Sequence, residues 1–487
     1  MIFSIAVFSV LTAAPPAPRT SVLVHFRGRP DLSAAASIPD RAARRAFVVA
    51  ALTDEADHAQ AGAREDLRRL GVPFRTHFLA NAIELQADAE LSAALAARPE
   101  VLRVAPNRAF APLPAPRVEL APRSAAAAEP NIEKVRATDL WARGFTGQGI
   151  VVGVSDTGFE WTHPALKTQY RGWDGAAASH AYNWHDAIHD GPPGNPCGND
   201  APAPCDDVGH GTATAGLAVG GDGAGNAIGV APGARLIGCR NMGLGAGTPA
   251  RYLECFEWLL APTDPSGANP RPDLGADVIN NSWTCPELEG CTDPEILREA
   301  VENVRAAGVA AVYAAGNTGS GCYSLLNPPA IYAAAITVGA TGLDDHIAFF
   351  SAVGPVSRDG SFRLKPDLVA PGLNVRTAAP GGLYTPTFTG TSGAAPHVAG
   401  AFALLWSAVP AAAGDVDATL GALEQTAAHL TGDFVCGSLT GEEVPNHVYG
   451  WGRIDVEAAY ETLDPGVRVV PRPVEDSRTP RLVPPRP

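Results

Sequence analysis

The chain has 487 residues, of which 46% are hydrophobic and 7% aromatic, enough to build a folded core and too many for a disordered protein. The length predicts more than one domain. The formal net charge of -15 excludes nucleic acid as the main partner, because such binding requires clustered Lys and Arg. The charge is uneven, since residues 17–124 carry 15 basic and 12 acidic residues and the acidic excess lies downstream.

The first segment, residues 1–14, is apolar and ends in the small residues Ala13 and Ala14. This pattern is typical of a secretory signal peptide, although no Lys or Arg precedes the apolar run. The run is too short to span a bilayer, and no transmembrane helix is predicted elsewhere. We therefore expect a secreted, extracellular protein, with a disordered apolar terminus as the alternative.

Residues 20–110 follow with the pattern of a small domain. The stretch "SVLVHFR" (21–27) alternates like a strand, and residues 40–70 carry apolar side chains at helical spacing. A two-strand pattern (75–88), a short helix (88–99) and another strand (101–110) complete the order βαββαβ. This order predicts a small α+β, ferredoxin-like domain.

The next segment, residues 111–130, is rich in Pro, Ala and Arg and has no apolar periodicity, which predicts an exposed, cleavable linker. From 131 to 463, short apolar runs such as "GIVVGVSDTG" and "VAAVYAAGN" alternate with helical segments. Continuous apolar strands are buried on both faces, so they predict an α/β domain with a mostly parallel central sheet covered by helices. Residues 464–487, rich in Pro and Arg, predict a disordered tail.

All eight cysteines lie in this main domain, and their even number fits export to an oxidising compartment. Short loops rich in Pro, Gly and Asp favour the pairs Cys197–Cys205 and Cys285–Cys291. The sequence leaves the pairing of the other four open. A structural zinc site is the alternative, although the chain has no CxxC pair.

Three polar residues stand at the ends of glycine-rich elements. Asp156 ends the apolar strand "VVGVSD", His210 lies between two glycines at a helix entry, and Ser392 opens the helix "SGAAPHVAGAFALLWSA". Pro396 in that helix predicts a position in the first turn. Ligands of parallel sheets bind beyond the carboxyl ends of the strands, so these side chains are site candidates. Each also has a plain interpretation: a turn aspartate, a structural histidine and a helix N-cap.

Together the three residues match the needs of nucleophilic catalysis. A serine hydroxyl requires a base within hydrogen-bond reach, and the base requires a buried acceptor that fixes its tautomer. The reaction also needs donors for the developing oxyanion, such as the N–H of Ser392 and a side-chain amide. Asn317 and Asn281 both follow strands, and we favour Asn317 because small residues precede it.

At these residues the chain resembles the subtilisin-like serine peptidases, or subtilases. The motifs are "SDTGFEWTHPAL", "GHGTATAGL", "AAGNTG" and "GTSGAAPHVAG", in the family's order Asp, His, Ser. The resemblance implies a three-layer subtilisin-like domain with Asp156, His210 and Ser392 as the triad and Asn317 in the oxyanion hole. The segment "NPPAIYAAAITVGATGLDDHIAFFSAVGP" is similar to the secreted bacterial branch that includes bacillopeptidase F.

The resemblance also implies partners. Protein and peptide substrates are expected, with residues 20–110 as a propeptide that acts as folding chaperone and intramolecular inhibitor of a self-processing precursor. An extended peptide is expected to pair between two strand ends, and the substrate-binding residues are then Ser282, Trp283, Thr284, Ala314, Ala315 and Gly316. Ordinary packing is an equal alternative for Trp283.

The chain departs from the family pattern at three positions. Ser155 precedes the aspartate where an aliphatic residue is usual, Ala213 stands where many members have a second histidine, and Gly393 replaces a common methionine. None of the three changes removes a triad atom. Gly393 is expected to loosen the helix start, because glycine is about 1 kcal/mol less favourable than alanine inside a helix.

Two other functions fit the sequence less well. A catalytically silent relative that binds peptides would usually lack Asp156, His210 or Ser392, and all are present. A metallohydrolase built on "HDAIHD" (185–190) lacks the glutamate of HExxH, so a solvated polar cluster in a surface loop is the preferred interpretation. An α/β-hydrolase is excluded, because the chain has no GxSxG elbow.

The resemblance implies no cofactor for catalysis. Subtilases often carry structural calcium, and carboxylates in "CGNDAPAPCDD" or at Asp174 are candidate ligands. No loop spacing identifies a calcium site.

Overall fold

The computed structural model describes residues 18–109, 128–191, 193–319 and 321–463. The predicted signal peptide (1–14), most of the predicted linker (111–130) and the predicted tail (464–487) lie outside the described residues.

The leading unit is a four-stranded antiparallel sheet covered by two helices, with strand order β2-β3-β1-β4. Asp40 and Asp88 cap the two helices by accepting hydrogen bonds from backbone N–H groups. The predicted βαββαβ order is present, with bounds β1 (Thr20–Phe26), α1 (Arg41–Arg69), β2 (Phe74–His77), β3 (Ala82–Ala87), α2 (Ala89–Ala96) and β4 (Val101–Pro106).

The main domain alternates strands and helices. Its strands are β5 (Val151–Asp156), β6 (Trp184–Asp186), β7 (Arg235–Arg240), β8 (Val278–Asn281), β9 (Ala310–Ala314), β10 (Ile336–Thr341), β11 (Leu368–Pro371), β12 (Val375–Ala379), β13 (Leu383–Phe388), β14 (Val435–Cys436) and β15 (Leu439–Thr440). Its helices are α3 (Pro130–Lys134), α4 (Ala137–Ala142), α5 (His210–Val219), α6 (Pro249–Leu260), α7 (Arg298–Ala306), α8 (Thr391–Ala408), α9 (Val416–Thr426) and α10 (Val456–Leu463).

Seven parallel strands form the central sheet in the order β11-β10-β9-β8-β5-β7-β6. Neighbouring residues on a strand face opposite layers: Val278 and Val312 pack with α5 and α8, whereas Ile279 and Tyr313 pack with α6 and α7. The predicted three-layer α/β fold is confirmed. Because all strands run the same way, their carboxyl ends meet at one edge.

Helices α5 and α8 lie close together because glycine and alanine side chains line their contact. A Cβ added at Gly400 of α8 would lie 2.9 Å from the carbonyl oxygen of Ala218 in α5 and 2.5 Å from the Cβ of Val230. Only glycine permits this approach. It brings the first turns of both helices, which carry His210 and Ser392, to the same edge of the sheet.

All eight cysteines form disulfides: Cys197–Cys205, Cys239–Cys255, Cys285–Cys291 and Cys322–Cys436. Both predicted pairs are confirmed. Since no cysteine is free, the zinc alternative is wrong.

The leading unit packs on the outer side of α6 and α7. One face of its sheet, including Val22 and Val24, forms its own core. The opposite face, including Leu23 and Ala105, joins the core layer of the main domain that contains α6 and α7. Within the described ranges, no helix is long and apolar enough to cross a membrane.

Candidate active site

Asp156 ends β5 at the carboxyl edge of the sheet and is fully buried. Its Oδ1 accepts hydrogen bonds from the backbone N–H of Thr157 (2.7 Å) and from Nδ1 of His210 (2.7 Å). Its Oδ2 accepts one from the hydroxyl of Thr214 (3.2 Å). The carboxylate is therefore an oriented acceptor for the imidazole.

His210 is the first residue of α5, and 27% of its side chain is exposed. Because Nδ1 donates to Asp156, Nε2 is unprotonated in the neutral ring and is the basic nitrogen. Burial disfavours the charged ring, but the charge and hydrogen bond of Asp156, with a contribution from Asp206, raise the pKa of His210 above 6.5.

Asp206 supports this arrangement and was missed by the sequence reasoning. Its carboxylate accepts hydrogen bonds from the N–H of Gly209, from the N–H and hydroxyl of Thr212, and from the hydroxyl of Thr157. It thereby holds the start of α5 against the turn after Asp156. The acidic pair before "VGHGT" was the available signal.

Ser392 is the second residue of α8 and is 8% exposed. Its hydroxyl donates to the backbone carbonyl oxygen of Ser282 (2.9 Å). The hydroxyl must turn from that carbonyl toward His210 before it can pass on its proton, and catalytic hydrogen bonds commonly tighten only when substrate is bound.

The prediction that Pro396 lies in the first turn of α8 is wrong, because the helix begins at Thr391 and Pro396 is its sixth residue. A proline there has no N–H for the carbonyl of Ser392, four residues earlier. That carbonyl accepts the hydroxyl of Ser282 instead, at 3.0 Å. The hydroxyl of Ser282, the residue after β8, thus replaces the hydrogen bond that Pro396 cannot donate.

Asn317 lies just beyond β9 and is exposed. Its Oδ1 accepts from the N–H of Thr391 (2.9 Å) and from the hydroxyl of Thr391 (2.9 Å), so Nδ2 remains to donate elsewhere. Asn281 differs, since it is buried and its Nδ2 donates within the sheet to the carbonyl of Val312 (3.3 Å). This geometry favours Asn317 over Asn281. Thr391 was missed, although it directly precedes Ser392.

The expected substrate-binding residues follow two neighbouring parallel strands, β8 and β9, and both strand ends contact the start of α8, through Ser282 with Ser392 and through Gly316 with Thr391. Trp283 is 5% exposed, stacks on Tyr252 with 3.7 Å between ring centroids, and donates to the carbonyl of Ser155 (2.9 Å). The structure therefore favours packing for this side chain. On the facing strand end, which comprises Ala314, Ala315 and Gly316, a Cβ added at Gly316 would lie 3.7 Å from the methyl of Thr284.

Two of the three departures from the family pattern, Ser155 and Gly393, have local explanations, and the structure gives none for Ala213. The buried hydroxyl of Ser155 accepts from Nδ2 of Asn241 (2.6 Å). Ala213 is buried in α5. A Cβ at Gly393 would lie 3.3 Å from Val375 and 3.4 Å from Phe388, so a side chain there would require these neighbours to move.

The histidines of "HDAIHD" are part of a hydrogen-bonded cluster rather than a solvated one, although His189 lies in the bend that follows β6. His185 belongs to β6, and Nε2 of His185 (2.7 Å) and Nε2 of His189 (2.9 Å) both bond to Oε1 of Glu254 in α6. Among the described residues, no group of three or more His, Cys, Asp or Glu side chains is arranged to hold a metal ion.

The sequence of the main domain matches the model of the subtilase family over residues 147–452. The chain belongs to the subtilase family, whose members are serine endopeptidases, so the predicted family and enzyme class are confirmed.

Among its relatives is bacillopeptidase F of Bacillus subtilis (strain 168), 34% identical over 446 residues. The match covers 87% of this chain but only 29% of the length of that protein. Subtilisin DY of Bacillus licheniformis is 31% identical over 331 residues, covering 68% of this chain and 97% of that protein. The major intracellular serine protease of Bacillus subtilis (strain 168) is 34% identical over 57% of this chain and 74% of its own length.

Proposed function

We propose that the chain is a serine endopeptidase that acts through Asp156, His210 and Ser392. Ser392 Oγ attacks the peptide carbonyl while His210 Nε2 takes its proton, and His210 then gives that proton to the leaving amine. Water hydrolyses the resulting acyl-enzyme through the same base. Asp156 holds the imidazole tautomer and stabilises its charged form.

Two donors serve the tetrahedral oxyanion in this proposal. One is the backbone N–H of Ser392, at the start of α8, and the other is Nδ2 of Asn317. Thr391 supports both, because it lies between them and engages the amide oxygen of Asn317.

One observation carries the proposal: the fully buried carboxylate of Asp156 holds Nδ1 of His210 at 2.7 Å. His210 begins α5, which packs against α8, the helix whose first turn carries Ser392. A silent peptide-binding relative remains the alternative. A phosphonate or fluorophosphonate probe that reacts only with an activated serine separates the two.

The pH dependence of hydrolysis provides a direct test of His210 as the base. A protonated imidazole cannot accept the serine proton, so kcat/KM should fall as the pH drops through the pKa of His210. Because that pKa is raised above 6.5 in the structure, the acidic limb should have an apparent pKa above 6.5. Pre-steady-state or steady-state rates on an uncharged peptide give this profile. An acidic limb well below 6.5 would contradict the assignment.

We further propose that the leading unit, residues 20–110, is an inhibitory propeptide of an exported precursor. Among the described residues, the arginine ion pairs between the two units all place the cation on the leading unit and the carboxylate on the main domain, and His77 also contacts Glu257 (3.1 Å). The arginine pairs are Arg29–Glu299, Arg29–Glu302, Arg41–Asp277, Arg45–Asp277, Arg75–Glu254 and Arg103–Asp293. This pattern agrees with the charge asymmetry of the sequence.

The last described residues of the leading unit run toward the proposed cleft. The side chain of Asn107 accepts a hydrogen bond from the first turn of α6, and the N–H of Arg108 points at the carbonyl of Glu289 (3.4 Å). The carboxylate of Glu289 accepts the hydroxyl of Tyr252, which stacks on Trp283. The contacts of Asn107 and Arg108 thus lie near the strand end proposed to bind substrate, which supports the proposal of a cleavable inhibitor.

Maturation should cut this linker between Pro112 and Pro130. A cut beyond Pro130 is disfavoured, because the carboxylate of Glu129 pairs with Arg376 (2.7 Å), and these side chains are only 8% and 10% exposed. Sequencing the N-terminus of purified protein should place it in this window. A Ser392→Ala chain should remain joined to its leading unit in a host free of other proteases; if it is cut at the same bond, another enzyme does the processing.

A further inference from the structure

The carbonyl group of the nucleophile residue itself has an unusual partner. In an α-helix, the carbonyl oxygen of Ser392 would accept the N–H of the residue four positions later, which here is Pro396. Proline has no N–H, and its ring crowds that carbonyl. Helix α8 is buried from Thr391 to Trp406, so water is a poor substitute.

The hydroxyl of Ser282 fills this position. Ser282 Oγ lies 3.0 Å from the carbonyl oxygen of Ser392, and Ser282 is 2% exposed. Nδ2 of Asn280 donates to the same Ser282 Oγ at 2.9 Å. Because Asn280 supplies one proton and a carbonyl can only accept, the proton of Ser282 points at Ser392.

A second bond runs in the opposite direction between the same residues. Ser392 Oγ donates to the carbonyl of Ser282 at 2.9 Å. This bond must break when the hydroxyl turns to His210, whereas the bond from Ser282 Oγ to the Ser392 carbonyl can persist. During catalysis, the bond from Ser282 Oγ to the Ser392 carbonyl therefore continues to hold the backbone of Ser392 at the end of β8.

We propose that Ser282 is a positioning residue, whose hydroxyl replaces the backbone donor that Pro396 removes and so fixes the main chain of Ser392 during catalysis. This inference rests on the proposed function and gives Ser282 a side-chain role in addition to its place on the substrate-binding strand end. Loss of the hydroxyl leaves a buried carbonyl unpaired, and the first turn of α8 shifts to find another donor. Such a shift moves both Ser392 Oγ and the Ser392 N–H.

Ser282→Val and Ser282→Thr form a matched pair, because they have the same shape and differ only in the hydroxyl. With concentrations set by active-site titration, we expect kcat of Ser282→Val to be between about 10- and 100-fold below that of Ser282→Thr, as for a small misplacement of reacting groups. KM should differ by less than about twofold, because ground-state binding is unaffected. Equal kcat values for the two variants would overturn the proposal.

Pro396→Ala supplies the decisive control, since residue 396 then carries an N–H that can bond to the carbonyl of Ser392. In that background the Ser282→Val and Ser282→Thr chains should differ in kcat by less than about threefold. An undiminished difference would show that Ser282 acts by another route and would overturn the inference. Should Pro396→Ala fold poorly, the rate of fluorophosphonate labelling of Ser282→Val and Ser282→Thr still tests the role of the hydroxyl at Ser392 itself, and equal labelling rates would overturn the inference.

The experiments distinguish a failure of the proposed peptidase function from a failure of the inference about Ser282. If the proposed function is wrong, the wild-type chain neither hydrolyses peptides nor reacts with the probe. Failure of this inference leaves an active wild type whose rate does not depend on the hydroxyl at position 282.

Discussion

Ser392→Ala should lower kcat on a peptide substrate by about 10⁶-fold, the magnitude established for the equivalent change in subtilisin, while the fold is retained. The loss is this large because Asp156, His210 and Ser392 act as a unit, and removal of one member disables the others. A residual rate of about 10³–10⁴ over water should remain from the oxyanion hole and substrate binding. Steady-state assays on material free of other proteases measure the difference.

The fold of the variant is checked independently. Replacing the hydroxyl by hydrogen at a site that is 8% exposed removes the bond that the buried carbonyl of Ser282 accepts, which costs about 1–3 kcal/mol, so the unfolding midpoint should fall while the chain stays folded at the assay temperature. Near-normal turnover by a folded Ser392→Ala chain would contradict the triad assignment.

Asn317→Ala should lower kcat by about 10²–10³-fold with a small change in KM, the effect known for removal of one oxyanion donor from subtilisin. The amide would stabilise the transition state more than the bound substrate, so its loss falls on kcat. Activity assays at saturating substrate measure this effect.

Asn281→Ala is the matched comparison, because Asn281 is the other strand-end asparagine and its Nδ2 donates to the carbonyl of Val312 within the sheet. That variant should lose stability rather than transition-state binding. If Asn281→Ala shows the large loss in kcat and Asn317→Ala does not, the oxyanion hole has been placed on the wrong strand.

The central fold could be predicted because strands buried on both faces leave a direct trace in the sequence. Runs such as "VVGVSD" and "AAVYAAGN" are apolar throughout, and the polar residue that ends each run lies at the carboxyl edge of the sheet. The leading unit could also be predicted, because its elements follow the order βαββαβ and its long helix carries an apolar stripe from Val48 to Leu67. The sequence did not reveal that the main domain covers the second face of its sheet, which buries consecutive residues of β1.

The features that the sequence did not predict depend on tertiary contacts between residues far apart in the chain. The stacking of Trp283 on Tyr252 and the pairing of Cys322 with Cys436 join segments that the sequence does not relate. The position of Pro396 in α8 was missed for the same reason, since its compensating donor, Ser282, lies on another element. Local propensity alone cannot reveal a donor supplied by tertiary structure.

The most direct measurement of the central claim is covalent labelling of the mature wild-type chain with a fluorophosphonate, followed by peptide mapping. We expect one equivalent of probe on Ser392, loss of peptidase activity in proportion to labelling, and no labelling of an Asp156→Asn chain on the same time scale. Stoichiometric labelling at a different serine, or full peptidase activity in a chain labelled at Ser392, would contradict it.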